Sequence, residues 1–179
     1  PILDAHGSSP KVAVDADGVT HVIWQDDTGT PFHINHVQRL TGAWSIAAIL
    51  SDASAPAFAP DLIASGNQAQ VVWEQSQSIR YTQGSGIAFS APITISTGTA
   101  KEPSIAARPL GAIIAAWKSE ADSSIALRVK DATGWGSFQS FGSNLSGIGH
   151  VNLAAGPIDY TYAVFTWGAS GSRDVAFNY

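Results

Sequence analysis

Short apolar segments alternate with polar turns along the chain, and the same order recurs. In residues 10–51, Lys11-Val-Ala-Val14 is followed by the turn Asp15-Ala-Asp-Gly18 and the apolar run Val22-Ile-Trp24. A polar loop leads to the alternating stretch Phe32-His-Ile-Asn-His-Val-Gln38, then to Gly42-Ala-Trp-Ser45 and the residues up to Ser51. Runs of this length, bounded by Gly, Pro, Asn and Asp, predict strands. The Asp-Gly turn reverses the chain within a few residues, so the first two strands form an antiparallel hairpin. The unit is therefore four strands, the second ending on Trp24.

The order returns around Trp73, Trp117 and Trp167, at a period of about 44 to 50 residues, the range that points to propellers. Hairpins precede each tryptophan: Leu62-Ile63 with Val71-Val72, Ile105 to Ala107 with Ile113-Ile114, and Leu153 to Ala155 with Val164-Phe165. Alternating third strands follow, at Ser78 to Gln83, Ser124 to Lys130 and Arg173 to Tyr179. The fourth strand begins after a glycine turn, at Trp44, Phe89 or Trp135. Pro92 is tolerated only on an edge, so this strand is outermost.

Repeat four stops at Tyr179, after its third strand. Its missing outer strand is expected from the N-terminus, where Pro1-Ile-Leu pairs with Val175 to Tyr179 and removes the open edge. The prediction is an all-β, four-bladed β-propeller of four-stranded repeats, a single domain over 1–179. Its repeats fall near 10–51, 60–96, 103–146, and 151–179 plus 1–4. The alternative is two chains forming one eight-bladed ring, a homodimer.

Composition narrows the function. The 179 residues are 45% hydrophobic and only 13% charged, with 17 Gly and 9 Pro, as suits many short strands and tight turns. The net charge of -5 comes from scattered acids, and no Lys/Arg cluster forms the footprint a phosphate backbone requires, so nucleic acid is not expected. With no Cys, neither a disulfide framework nor a thiolate metal site is available. No apolar run approaches the roughly 20 residues of a membrane-spanning helix.

The units resemble the blades of sialidase-like (BNR-type) propellers. Asp17-Gly-Val-Thr-His-Val-Ile-Trp-Gln-Asp26 with Gly42-Ala-Trp-Ser45 carries the resemblance best, and Gly84 to Ile95 echoes its second half. It implies a propeller fold and a glycan ligand. There are departures: no Ser-x-Asp-x-Gly-x-x-Trp Asp-box is intact, and Asp131-Ala-Thr-Gly-Trp135 misses its spacing. A sialidase also has six blades and a catalytic set of three arginines, a Tyr nucleophile with a Glu partner, and an acid. Here Arg80, Arg128 and Arg173 lie on third strands and Arg108 in a turn, so they are not expected to converge, and no catalytic residue is assigned.

Other constellations reduce to structure. Asp15-Ala-Asp17-Gly18 holds two carboxylates, too few for a calcium loop, and reads as a hairpin turn. His33 and His36 fall on opposite faces of one strand and cannot share an ion unaided. His21 reads as a hydrogen-bonded core histidine. No metal or cofactor is expected. The repeated tryptophans read as core wedges. Loops after the second strand, and before the next first strand, emerge on one face, where function usually resides. That face gathers Asp26, Asp27, Glu74, Lys118, Glu120 and Asp122, with His6, Lys101, Glu102 and His150. Trp44 and Trp135 head outer strands and are the candidates for stacking on sugar. The expected ligand-binding set is Asp26, Asp27, Trp44, Glu74, Lys118, Glu120 and Trp135. The expected function is a non-enzymatic, lectin-like module for a glycan in an extracellular or cell-surface setting, with protein recognition as the alternative and a reduced glycosidase as a third reading.

Overall fold

The computed structural model describes residues 4, 6–144, 147–156, 160–168 and 174–178. These form four sheets that succeed one another along the chain. The first has β1 (Gly7–Val14), β2 (Thr20–Asp26), β3 (His33–Arg39) and β4 (Ala48–Ile49) in that order. The second has β5 (Ala57–Ser65), β6 (Gln68–Gln75), β7 (Ser78–Ser85) and β8 (Ala88–Phe89), with β9 (Ile93–Thr94) also on β7. The third has β10 (Ala100–Ala107), β11 (Ile113–Ser119), β12 (Ser124–Asp131) and β13 (Gly134–Trp135), with β14 (Gln139–Phe141) also on β12. The fourth has β15 (Val151–Ala155), β16 (Thr161–Trp167) and β17 (Asp174–Asn178). Pro92 lies between β8 and β9, where an outer strand can do without its N–H. The expected pairing of Ile2 and Leu3 with the stretch ending at Tyr179 lies outside the described residues.

The first strands start earlier than their apolar cores suggest. In β1, β5 and β10 the register shifts between Ser8 and Lys11, Phe58 and Asp61, and Lys101 and Ser104. Inside each shift one residue takes a left-handed conformation: Ser9 (φ 50), Ala59 (φ 48) and Glu102 (φ 54). Each is followed by proline, at 10, 60 and 103. A bulge leaves one residue out of the ladder, and proline has no N–H to lose there. The strand then resumes with its apolar residues in phase.

The described residues fall into two compact units, Pro1–Ser76 with Arg80–Thr94, and Gln77–Ile79 with Ile95–Tyr179. Within the first, Ala13, Ile23, Ile34 and Leu50 of the first sheet's side pack with Ala57, Leu62, Ala69, Val71 and Trp73 of the second. Within the other, Ala116, Ile125, Leu127, Phe141 and Ile148 pack with Val151, Leu153, Ala163, Phe165 and Trp167. One rule serves both: the face of a sheet that carries the repeated tryptophan meets the opposite face of the sheet before it. Trp24, Trp73 and Trp117 are buried. Gly7 lies flat on the Trp24 indole, where an added Cβ would stand 2.7 Å from Cδ1.

A chain of polar contacts runs through the first sheet. Asp15 Oδ1 accepts the backbone N–H groups of Asp17 and Val19, closing the first turn. Its Oδ2 lies 3.2 Å from His21 Nε2, and His21 Nδ1 lies 3.0 Å from His36 Nε2. Both imidazoles are fully buried. His36 stands edge-on to Phe89, and burial, with the His21 charge second, pushes its pKa down to about 4. His21 is thus a hydrogen-bonded core histidine.

Candidate functional site

The third sheet collects the densest set of ionisable groups at one end, where β10 begins, β11 ends and β12 begins. Ala100 pairs with Ser119 and Ser119 with Ser124, which places Lys101, Glu102 and Lys118 on the sheet's end and Glu120 and Asp122 on the loop beyond it. Lys118 Nζ is 2.8 Å from Glu120 Oε1, and Lys101 Nζ approaches the same oxygen at 3.9 Å. The hydrogen bond from Lys118 is the leading cause that holds the Glu120 carboxyl below its usual range. Asp122 is likewise depressed, by Ser119 first and Ser124 second, and it accepts the Ser124 hydroxyl at 2.8 Å. Glu102, on the bulge, turns Oε2 toward His150 Nδ1 at 3.3 Å. These groups are partly exposed, so they remain available to a ligand.

The first unit spends its acids differently. Asp26 Oδ1 accepts the Thr28 N–H at 2.9 Å and hydroxyl at 2.6 Å, and Oδ2 accepts Asn35 Nδ2 at 3.0 Å. These bonds, the Thr28 hydroxyl foremost, lower its pKa and tie it to its own loop. Asp27 is exposed and accepts Gln25 Nε2 at 2.7 Å. Glu74 lies opposite Phe58, beside the second bulge.

The two tryptophans of the expected set stand apart from these acids. Trp135 pairs with Lys130, at the end of the third sheet opposite Lys118. Trp44 lies under the Arg39 guanidinium, 5.8 Å from ring centroid to Cζ, next to the Gln38–Ser45 turn and away from Asp26. Within either unit, therefore, the acids and the half-buried tryptophan do not form one site. The strand directions explain this, because an outer strand starts where the third strand ends.

Three of the described arginines serve as ties. Arg80 reaches Thr94 and the Pro92 carbonyl, Arg108 reaches Thr161, and Arg128 spans the Gly136, Trp135 and Ile95 carbonyls. Among the described residues, no helix is long and apolar enough to cross a membrane.

No protein-family model matches the chain, and no curated protein does. Solved structures do match. The Hadza microbial sialidase Hz136 superposes with a TM-score of 0.69 at 9% identity, over 97% of this chain and 44% of that one. The Bacteroides ovatus xyloglucan PUL GH43B gives 0.62 at 15%, over 99% and 39%. An exo-1,5-alpha-L-arabinanase from a bovine ruminal metagenomic library gives 0.54 at 14%, over 97% and 74%. The fold is all-β and of the propeller kind. The chain spans less than half the length of the first two structures.

The bulges place Glu102 and set its backbone. Loop position alone had put Glu102 on this face with no special geometry. The available signal was the X-Pro step recurring at Pro10, Pro60 and Pro103, a fixed distance before each first apolar run.

Proposed function

We propose that the chain is a non-enzymatic recognition module that binds a glycan at the loop end of its third sheet. The observation that carries this reading is the cluster of Lys101, Lys118 and Glu120 beside Glu102 and His150. Half-exposed donors and acceptors set side by side can meet the paired hydroxyls of a sugar, with little charge left over to demand an ionic ligand. The glycosidase names of the similar solved structures support a glycan ligand, at the level of fold.

A glycan array tests it. Binding to a defined subset of sugars is expected, weakened roughly tenfold or more by Glu120→Gln or Lys118→Ala, the loss of one charged hydrogen bond. Trp44→Ala and Trp135→Ala should leave binding unchanged. A blank array together with a protein partner that competes at Glu120 would replace the glycan with a protein. The hydrolase neighbours favour one rival, a glycosidase: steady turnover of a fluorogenic glycoside, abolished by Glu102→Gln, would overturn the non-enzymatic part.

A further inference from the structure

Where the third and fourth sheets pack together, the interior is filled at one end and open at the other. On β16 the residues that face the third sheet are Thr161, Ala163 and Phe165, two apart along the strand. Phe165 reaches Phe141, with ring centroids 5.8 Å apart, and the interior is packed there. Ala163 and Thr161 have short side chains, and beside them a cleft of about 550 Å³ opens between Ile114, Leu127, Val129 and Leu153. Small-molecule sites have volumes of roughly 300–1,000 Å³.

The cleft carries one charged group. Arg108 opens the turn from β10 to β11, at the end of the third sheet opposite Lys118, and its backbone N–H donates to the Ala112 carbonyl at 2.8 Å. Its Nε donates to Thr161 Oγ1 of the fourth sheet at 3.1 Å. That bond fixes the guanidinium and spends only one of its nitrogens. Among the described residues Nη1 and Nη2 have no hydrogen-bond partner, whereas Arg128 spends Nε, Nη1 and Nη2 on three carbonyls. None of the described residues lining the cleft is acidic. Gln139, Ser140 and Tyr160 also line it and are exposed, so they mark its open side.

We propose that this cleft binds a small carboxylate with an apolar body, a medium-chain aliphatic or an aryl-substituted acid. The two oxygens of a carboxylate match the two free Nη groups of the guanidinium, and walls of Ile, Leu and Val favour an apolar remainder. A phosphate would bring about two charges to a single cation, and a bare sugar would leave hydroxyls unpaired against those walls. The site is separate from the cluster around Glu120, and its ligand is of a different class.

Titration calorimetry on the full chain tests this with hexanoate and phenylacetate, each beside its neutral amide. At least one acid is expected to bind saturably, roughly tenfold or more tighter than its amide, which lacks the charge-assisted bond. Arg108→Gln should remove that preference, and Ala163→Leu, which fills the cleft, should abolish binding of the acid. A wild-type chain that binds neither acid, or binds the acids no more tightly than the amides, overturns the proposal without recourse to any variant. A preference that survives Arg108→Gln overturns it as well, because the anion would then sit on another cation.

Discussion

The two units are built on one plan and filled with different chemistry. In the first, the interior is polar at several points: His21 on His36, Tyr81 on Gln70, and Gln75, which donates to the Asp52 and Ala55 carbonyls at 2.8 and 2.6 Å while accepting the Trp73 indole N–H at 3.2 Å. In the second, the buried polar residues among those described are Ser104, Ser119 and Ser124, the rest of the named interior is apolar, with Ile114, Ile125, Ile148 and Phe165, and the ionisable groups sit at the rim around Glu120. A cleft of about 550 Å³ opens along Leu127, Phe141, Leu153 and Ala163, with Arg108 and Thr161 at its polar side. The same strand order thus supports a unit whose polar groups hold the fold and another whose polar groups face solvent, where a ligand can use them.

That contrast can be broken most severely at Trp73. Trp73→Ala removes a fully buried indole and one of the two bonds to the Gln75 carbonyl oxygen, and the expected loss is about 3–5 kcal/mol in chemical denaturation. A loss below 1 kcal/mol would show that the first unit does not depend on this wedge.

Acid should act on the first unit next. His36 has a folded pKa of about 4 against an ordinary 6.5, so the unfolded chain binds the extra proton between those values. Stability is therefore full above about pH 6.5 and falls as the pH drops toward 4, by roughly 2–3 kcal/mol at most. The depressed carboxyl of Asp15 contributes only at lower pH still. Denaturation midpoints measured between pH 7 and 4 should fall in the wild type and flatten in His36→Leu. An unchanged slope in the variant would move the titrating group elsewhere.

The smallest effect compares two alanines. Ala163 lines the cleft of the second unit, and Ala163→Val should raise stability by about 0.5–1 kcal/mol by filling it. Ala69 is fully buried in the packed core of the first unit, and Ala69→Val should lower stability, by about 1 kcal/mol or more. Equal signs would mean the two interiors are filled alike.

Much of the fold was legible because it is local. Trp24, Trp73 and Trp117 announce the second strands by their spacing, although each strand runs two residues further, to Asp26, Gln75 and Ser119, and the Asp15 to Gly18 turn announces a hairpin through residue chemistry alone. The His21–His36 contact was not legible. His21 pairs with Gln38 and Ile23 with His36, so the two rings meet only across a diagonal that the register of β2 and β3 decides. The bulges were hidden for the opposite reason, since a left-handed Ser, Ala or Glu before proline runs against local preference. For the site, strand direction already separated Trp44 and Trp135 from the acids. What propensity could not supply was which acids spend their hydrogen bonds on their own loops, as Asp26 does, and which stay half free, as Glu120 does.

The bulge at Ser9, Ala59 and Glu102 also acts as a frame-shift in the alternation of the strand. Side chains on the N-terminal side of the extra residue count odd and even from a different origin than those beyond it. Because the extra residue is absorbed outside the ladder, Lys101 still stands opposite Lys118 and Ser104 opposite Ala116, two positions on one face. Deleting Glu102 would thus keep those pairs in phase while taking its carboxylate away from His150, so in this sheet the rim can change and the core stay as it is.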